Sequence, residues 1–134
     1  MFRSHGALGA YYRDAALIKL KEQFVLDSAT SPTMVATLLV HELTHAWLED
    51  HGVSYVASRR ARIERICFRA ELAFAARAPD GEQLMPLLQR QLARPEADWS
   101  DAALTNRMRD EALAFGLPRW VVSALLWVRR RRVV

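Results

Sequence analysis

Between Thr33 and Leu48 the chain carries one formally charged residue, Glu42, inside a run that includes Met34, Val35, Leu38, Leu39, Val40, Leu43, Trp47 and Leu48. Ser31 followed by Pro32 supplies an N-cap and a first helical position, and Gly52 stands just past the last good helix former. The pattern predicts a helix from about Pro32 to Asp50. Its apolar residues fall on all sides, so the helix is expected to be buried all round. Yet it also carries His41, Glu42 and His45, in the order His-Glu-Leu-Thr-His. An unpaired buried carboxylate costs several kcal/mol, so this segment demands a cation, a partner or a water-filled cleft.

Two histidines four apart project from one helix face about one turn apart. That spacing suits two imidazole nitrogens meeting one Zn²⁺, with the intervening Glu42 placed to act on water as a general base. Catalytic zinc uses three protein ligands and keeps a position for water. The candidates for the third are Glu71, Glu64 and His51. A second helix is expected from about Arg59 to Ala78, ended by Pro79-Asp80-Gly81. On it Glu64 and Glu71, seven apart, nearly superimpose beside Cys67, Phe68, Phe74 and Ala75, while Arg62, Arg65 and Arg69 gather opposite. Both glutamates therefore face inward. Glu71, 26 residues beyond His45, is the preferred ligand. Glu64 is the next choice, and the two could divide the roles of ligand and supporting carboxylate to one imidazole. His51 sits where a HExxHxxGxxH enzyme keeps its third histidine, but Leu48 replaces the glycine that ends the helix there. An oxyanion donor could come from Tyr55, Tyr11, Tyr12 or His51, which the sequence does not rank.

The remainder reads as α+β. Gly9 to Lys21 predicts one or two short strands, with a hairpin turn near Arg13 and Asp14. Val53 to Ser58 is a small edge strand or a loop. A third helix is expected over Gly81 to Ala93, started or broken at Pro86, a fourth from the cap Ser100 to Gly116, and a last apolar segment over Arg119 to Arg132. With 134 residues, 51% of them hydrophobic and 25% charged, the chain has enough apolar content for one domain over 1–134, with a core at about 9–78 and a helical C-terminal part at 82–132. A low-hydrophobicity disordered class is excluded. Cys67, the single cysteine, makes no internal disulfide. Arg3, His5 and Arg13 interrupt any secretory start, so a cytoplasmic location is expected. The net charge of +4 comes largely from arginines 59–69, read as a solvated helix face, and from Arg129 to Arg132, read as a basic tail. Without interleaved aromatics or a groove-reading motif, nucleic acid is an unlikely partner. The last apolar run falls short of the ~20 residues that span a membrane. It is expected to dock on its own core, with a membrane surface or a protein partner as the alternative.

At His41-Glu42-Leu43-Thr44-His45-Ala46-Trp47 the chain resembles the zincin metallopeptidases, and with an acidic third ligand on a following helix it is similar to their gluzincin branch. The resemblance covers about residues 9 to 76. It implies a zinc hydrolase acting on peptides or proteins, with His41 and His45 as zinc ligands and Glu42 as general base. It also implies a mixed sheet packed on the active-site helix and a glutamate helix. The rival function is a regulatory or interaction protein that keeps this fold without catalysis and docks through its apolar, arginine-ended C-terminus.

Overall fold

The computed structural model describes residues 8–114 and 116–131. Arg3, His5 and Arg132 lie outside them, as do the side chains of residues 129–131. The chain forms two compact units, Met1–Pro95 and Glu96–Val134. In the first, strands β1 (Gly9–Tyr12) and β2 (Leu17–Leu20) pair antiparallel with Gly9 opposite Leu20 and Tyr12 opposite Leu17. A 3₁₀ turn over Arg13–Ala15 joins them, and Ala16 takes a left-handed conformation (φ 46°) to re-enter the ladder. The hairpin is as expected, but the sheet is a two-stranded antiparallel one among the described residues, not a mixed one. Helix α1 (Glu22–Leu26) follows, a single short turn that the sequence pattern does not announce.

Helix α2 runs Pro32–Asp50, with the bounds its punctuation predicts. The Ser31 hydroxyl accepts a hydrogen bond from the Met34 N–H at 3.2 Å, satisfying one of the open donors of the first turn. At the other end Gly52 (φ 79°) reverses the chain. Val53 N–H bonds the Leu48 carbonyl and Gly52 N–H the Glu49 carbonyl, the paired bonds of a Schellman ending. Val53 then packs onto the same apolar cluster as Leu48. Residues 53–56 form a loop and not a strand. After a 3₁₀ turn at Ala57–Arg59, helix α3 (Arg60–Ala75) lies along α2. The cluster between them is built on Leu48, Ile63 and Cys67, with Val53, Tyr55 and Ile66 against it. The unit closes with a 3₁₀ turn at Gly81–Leu84 and helix α4 (Met85–Leu92), which packs on α3, so α4 belongs with the first unit and not with the C-terminal helices. The second unit holds a 3₁₀ turn (Glu96–Trp99), α5 (Asp101–Ala114) and α6 (Arg119–Arg131). Among the described residues no helix is long and apolar enough to cross a membrane.

Two further expectations change. Helix α2 is not buried all round, because Leu43 and Trp47 are 56% and 57% exposed. The hairpin and α3 take up two of its sides, and Leu43 and Trp47, one turn apart, share the side left over. Among the arginines read as a solvated face, Arg60 is buried, its guanidinium 5.7 Å from the ring centre of Tyr55.

The α3–α4 turn tolerates no side chain at Gly81: a Cβ there would meet the Ala75 carbonyl oxygen at 1.9 Å, a backbone atom with no room to give. Gly81→Ala is therefore expected to cost at least about 2 kcal/mol by overpacking, read as a fall in denaturation midpoint at unchanged m-value.

Candidate metal centre

The buried face of α2 is polar. Thr37, His41, Glu42 and Leu48 are its buried residues, and Thr37 and Thr44 return their hydroxyls to the carbonyls of Thr33 and Val40 within the helix. His41 and His45 turn toward α3, their Nε2 atoms 3.1 Å apart and their rings edge to face. Opposite them stand the buried glutamates of α3. Glu64 Oε2 is 3.3 Å from His41 Nε2, and Glu64 Oε1 is 3.6 Å from His45 Nε2. Glu71 instead meets the other side of His41, its Oε1 accepting a very short hydrogen bond from Nδ1. Glu64, the second choice from sequence, thus occupies the place by the two Nε2 atoms for which Glu71 was preferred. Glu71 takes the supporting place that the same reading had foreseen for one of the pair.

Two further side chains complete the pocket. The Tyr55 hydroxyl donates to Glu64 Oε1, and its ring lies edge-on to His45 at 5.3 Å between centroids. Of the four oxyanion candidates it is the one that touches this cluster. Cys67, one turn beyond Glu64, was read only as a flanking residue. Its sulfur and the imidazole nitrogens of His41 and His45 all lie within 4.8 Å of one another, a group of metal-ligating atoms that could hold an ion. The spacing of Glu64, Cys67 and Glu71 on one helical stripe is the signal that could have included it. His51, by contrast, caps α2: its Nδ1–H donates to the Trp47 carbonyl at 2.8 Å and its exposed ring lies on the Trp47 ring. That is the helix-terminal role, not a ligand's.

Glu42 lies on the hairpin side of α2, still close enough to His41, Glu64 and Glu71 for their charges to act on it. It is buried, and its Cγ and Oε1 approach to 3.4 Å of the position a Cβ would take on Gly9. The Tyr11 backbone N–H bonds its carboxylate. Strand β1 is thereby laid over the carboxylate of the motif.

Burial drives these groups apart in acidity. It raises the Glu42 pKa, the His41 charge and the Tyr11 N–H offsetting only part of the effect. It would raise Glu64 too, but hydrogen bonds and charges from His41, His45 and Tyr55 hold that carboxyl below its usual range. Burial lowers His45 to about 4, against some support from Glu64. For His41 burial also lowers, but hydrogen bonds and charge from Glu64 and Glu71 outweigh it and push the ring up to about 10. Burial, with Glu64 beside it, keeps the Tyr55 phenol and the Cys67 thiol protonated well above neutral pH.

No family model, curated protein or solved structure matches the chain, so its chemistry is read from this donor set. The donors fit a cation. Zn–N bonds of about 2.05 Å at tetrahedral angles place neighbouring ligand atoms about 3.3 Å apart; the two Nε2 atoms are 3.1 Å apart, and the Glu64 carboxylate sets one oxygen against each, Oε2 3.3 Å from His41 and Oε1 3.6 Å from His45. His45 is neutral at pH 7, ready to ligate, whereas His41 carries a proton that a cation at Nε2 must displace. Because His41 titrates at about 10, affinity should rise by about tenfold or more per pH unit between roughly pH 6 and 8. Competition against a chromophoric chelator for Zn²⁺ measures it; a flat profile counts against this proton.

Proposed function

We propose that the protein is a zinc-dependent metallopeptidase, built on a zincin-like unit in which His41, His45 and Glu64 hold the cation. The observation that carries this reading is one carboxylate set against both Nε2 atoms, Oε2 at 3.3 Å and Oε1 at 3.6 Å, with the two nitrogens 3.1 Å apart. When bound, the cation would supply Lewis acidity for hydrolysis of a peptide bond. The chain's own residues supply the rest. Glu71 orients the His41 ring through Nδ1 and fixes which nitrogen faces the cation, a supporting role that metal-bound histidines commonly require. Tyr55 orients Glu64 in the same way. Glu42, whose burial raises its pKa toward the working range of a general base, takes a proton from the attacking water and returns it to the leaving amine. An extended peptide or protein segment is the substrate class this chemistry acts on.

Glu42→Gln should keep zinc and lower the turnover of an unfolded-protein substrate by about 10² to 10⁴; unchanged turnover would remove Glu42 from the mechanism. The division between the two α3 glutamates is tested separately. Glu64→Ala should weaken zinc binding by more than about 100-fold and Glu71→Ala by about 10- to 100-fold, measured by equilibrium dialysis. The reverse order would return Glu71 to the ligand position.

A further inference from the structure

Sulfur is the donor in this pocket that hydrolysis by His41, His45, Glu64 and Glu42 leaves without a task. Cys67 is fully buried, three residues after Glu64 and four before Glu71, on the stripe of α3 turned toward α2. Its apolar neighbours Leu48 and Ile63 would suit it as a small hydrophobe. On its other side, however, its Sγ lies with one imidazole nitrogen of each histidine inside a 4.8 Å group. Zn–S of about 2.3 Å and Zn–N of about 2.05 Å at tetrahedral angles separate sulfur from nitrogen by about 3.6 Å. The sulfur is therefore at most about 1.2 Å beyond ligating distance, a gap that small rotations of Cys67 and of the two imidazoles close together.

We propose that Cys67 is a fourth protein ligand of this centre, which with His41, His45 and Glu64 closes the coordination shell in the resting protein. The proposal rests on the metallopeptidase reading and adds a regulation to it. Catalytic zinc keeps one position open, whereas closed shells containing cysteine are the structural kind. This pocket holds donors for both: three that leave room for water, and a thiolate that fills it. Withdrawal of one sulfur then separates a resting centre from a working one. The exchange moves no electrons; the thiol gives its proton to solvent on ligation, and recovers it on release.

Cobalt(II) added to the full chain tests this. Visible d–d bands report cobalt held in a low-symmetry site whatever its donors, while a near-ultraviolet thiolate-to-cobalt charge-transfer band reports sulfur alone. With one cysteine in the chain, the wild-type spectrum assigns the band without any variant. Both features are expected at one cobalt per chain. Cys67→Ala should keep the d–d bands, lose the charge-transfer band and hydrolyse an unfolded-protein substrate faster than the parent. Visible bands without the charge-transfer band in the wild-type protein overturn the thiolate ligand and leave the metallopeptidase reading intact. Absence of visible bands overturns both.

Discussion

Two imidazoles and two carboxylates share one buried interface between α2 and α3, and neither pair is tolerable there without the other. A carboxylate taken out of water loses several kcal/mol of solvation, which only close and well-directed partners offset. Glu64 has His41, His45 and Tyr55 around it, and Glu71 has His41 Nδ1. Helix α2 has apolar residues on every side, so hydrophobicity alone gives it no preferred rotation about its axis. The polar groups break that degeneracy: only one rotation brings His41 and His45 against Glu64 and Glu71 while leaving Glu42 under β1. The cost of a mispaired charge thus fixes how the helices face each other, and the apolar contacts of Leu48, Ile63 and Cys67 consolidate it.

Local signals in the sequence were sufficient for α2 and the hairpin. The cap at Ser31, Pro32 after it and Gly52 beyond the end delimit α2 as the structure has it, because capping depends on neighbours within four residues. The hairpin turn at Arg13 to Ala15 was legible for the same reason. What was not legible depends on partners distant in the chain. Glu64 and Glu71 lie on one stripe, so their facing inward could be read from periodicity, but which of them meets Nε2 depends on the register of α3 along α2 and on the rotation of the His41 ring. Leu43 and Trp47 look like core by composition, and only the number of elements available to cover α2 leaves them exposed. Tyr55 sits in a loop, where no period says which way a side chain points.

The three buried carboxylates illustrate how environment separates chemically identical groups. Glu64 is held ionised by His41, His45 and Tyr55 in contact with it, whereas Glu42, bonded by the Tyr11 backbone N–H, has its pKa raised by burial. Environments that push titratable groups apart are what let one site hold a permanent anion and a proton acceptor together. The separation follows from architecture: the first faces α3, which carries the charge partners, and the second faces a β-strand, which offers only backbone.

Leu48 decides where the third donor must come from. A glycine at that position would let the helix end and swing His51 toward the two imidazoles, but Leu48 keeps α2 helical to Asp50 and carries its side chain into the core with Ile63 and Cys67. His51 is left to cap the helix on the Trp47 carbonyl. In the proposed centre the third donor is delivered by α3, after a Schellman turn and a loop that also carries Tyr55 to the site. A centre assembled from one local motif would survive loosening of the tertiary structure, whereas this one exists only while α2 and α3 are packed in register. A cation held there would be linked to folding of the first unit, since a ligand that binds only the packed state stabilises it by mass action. The same leucine that removes His51 from the site therefore makes the site part of the fold.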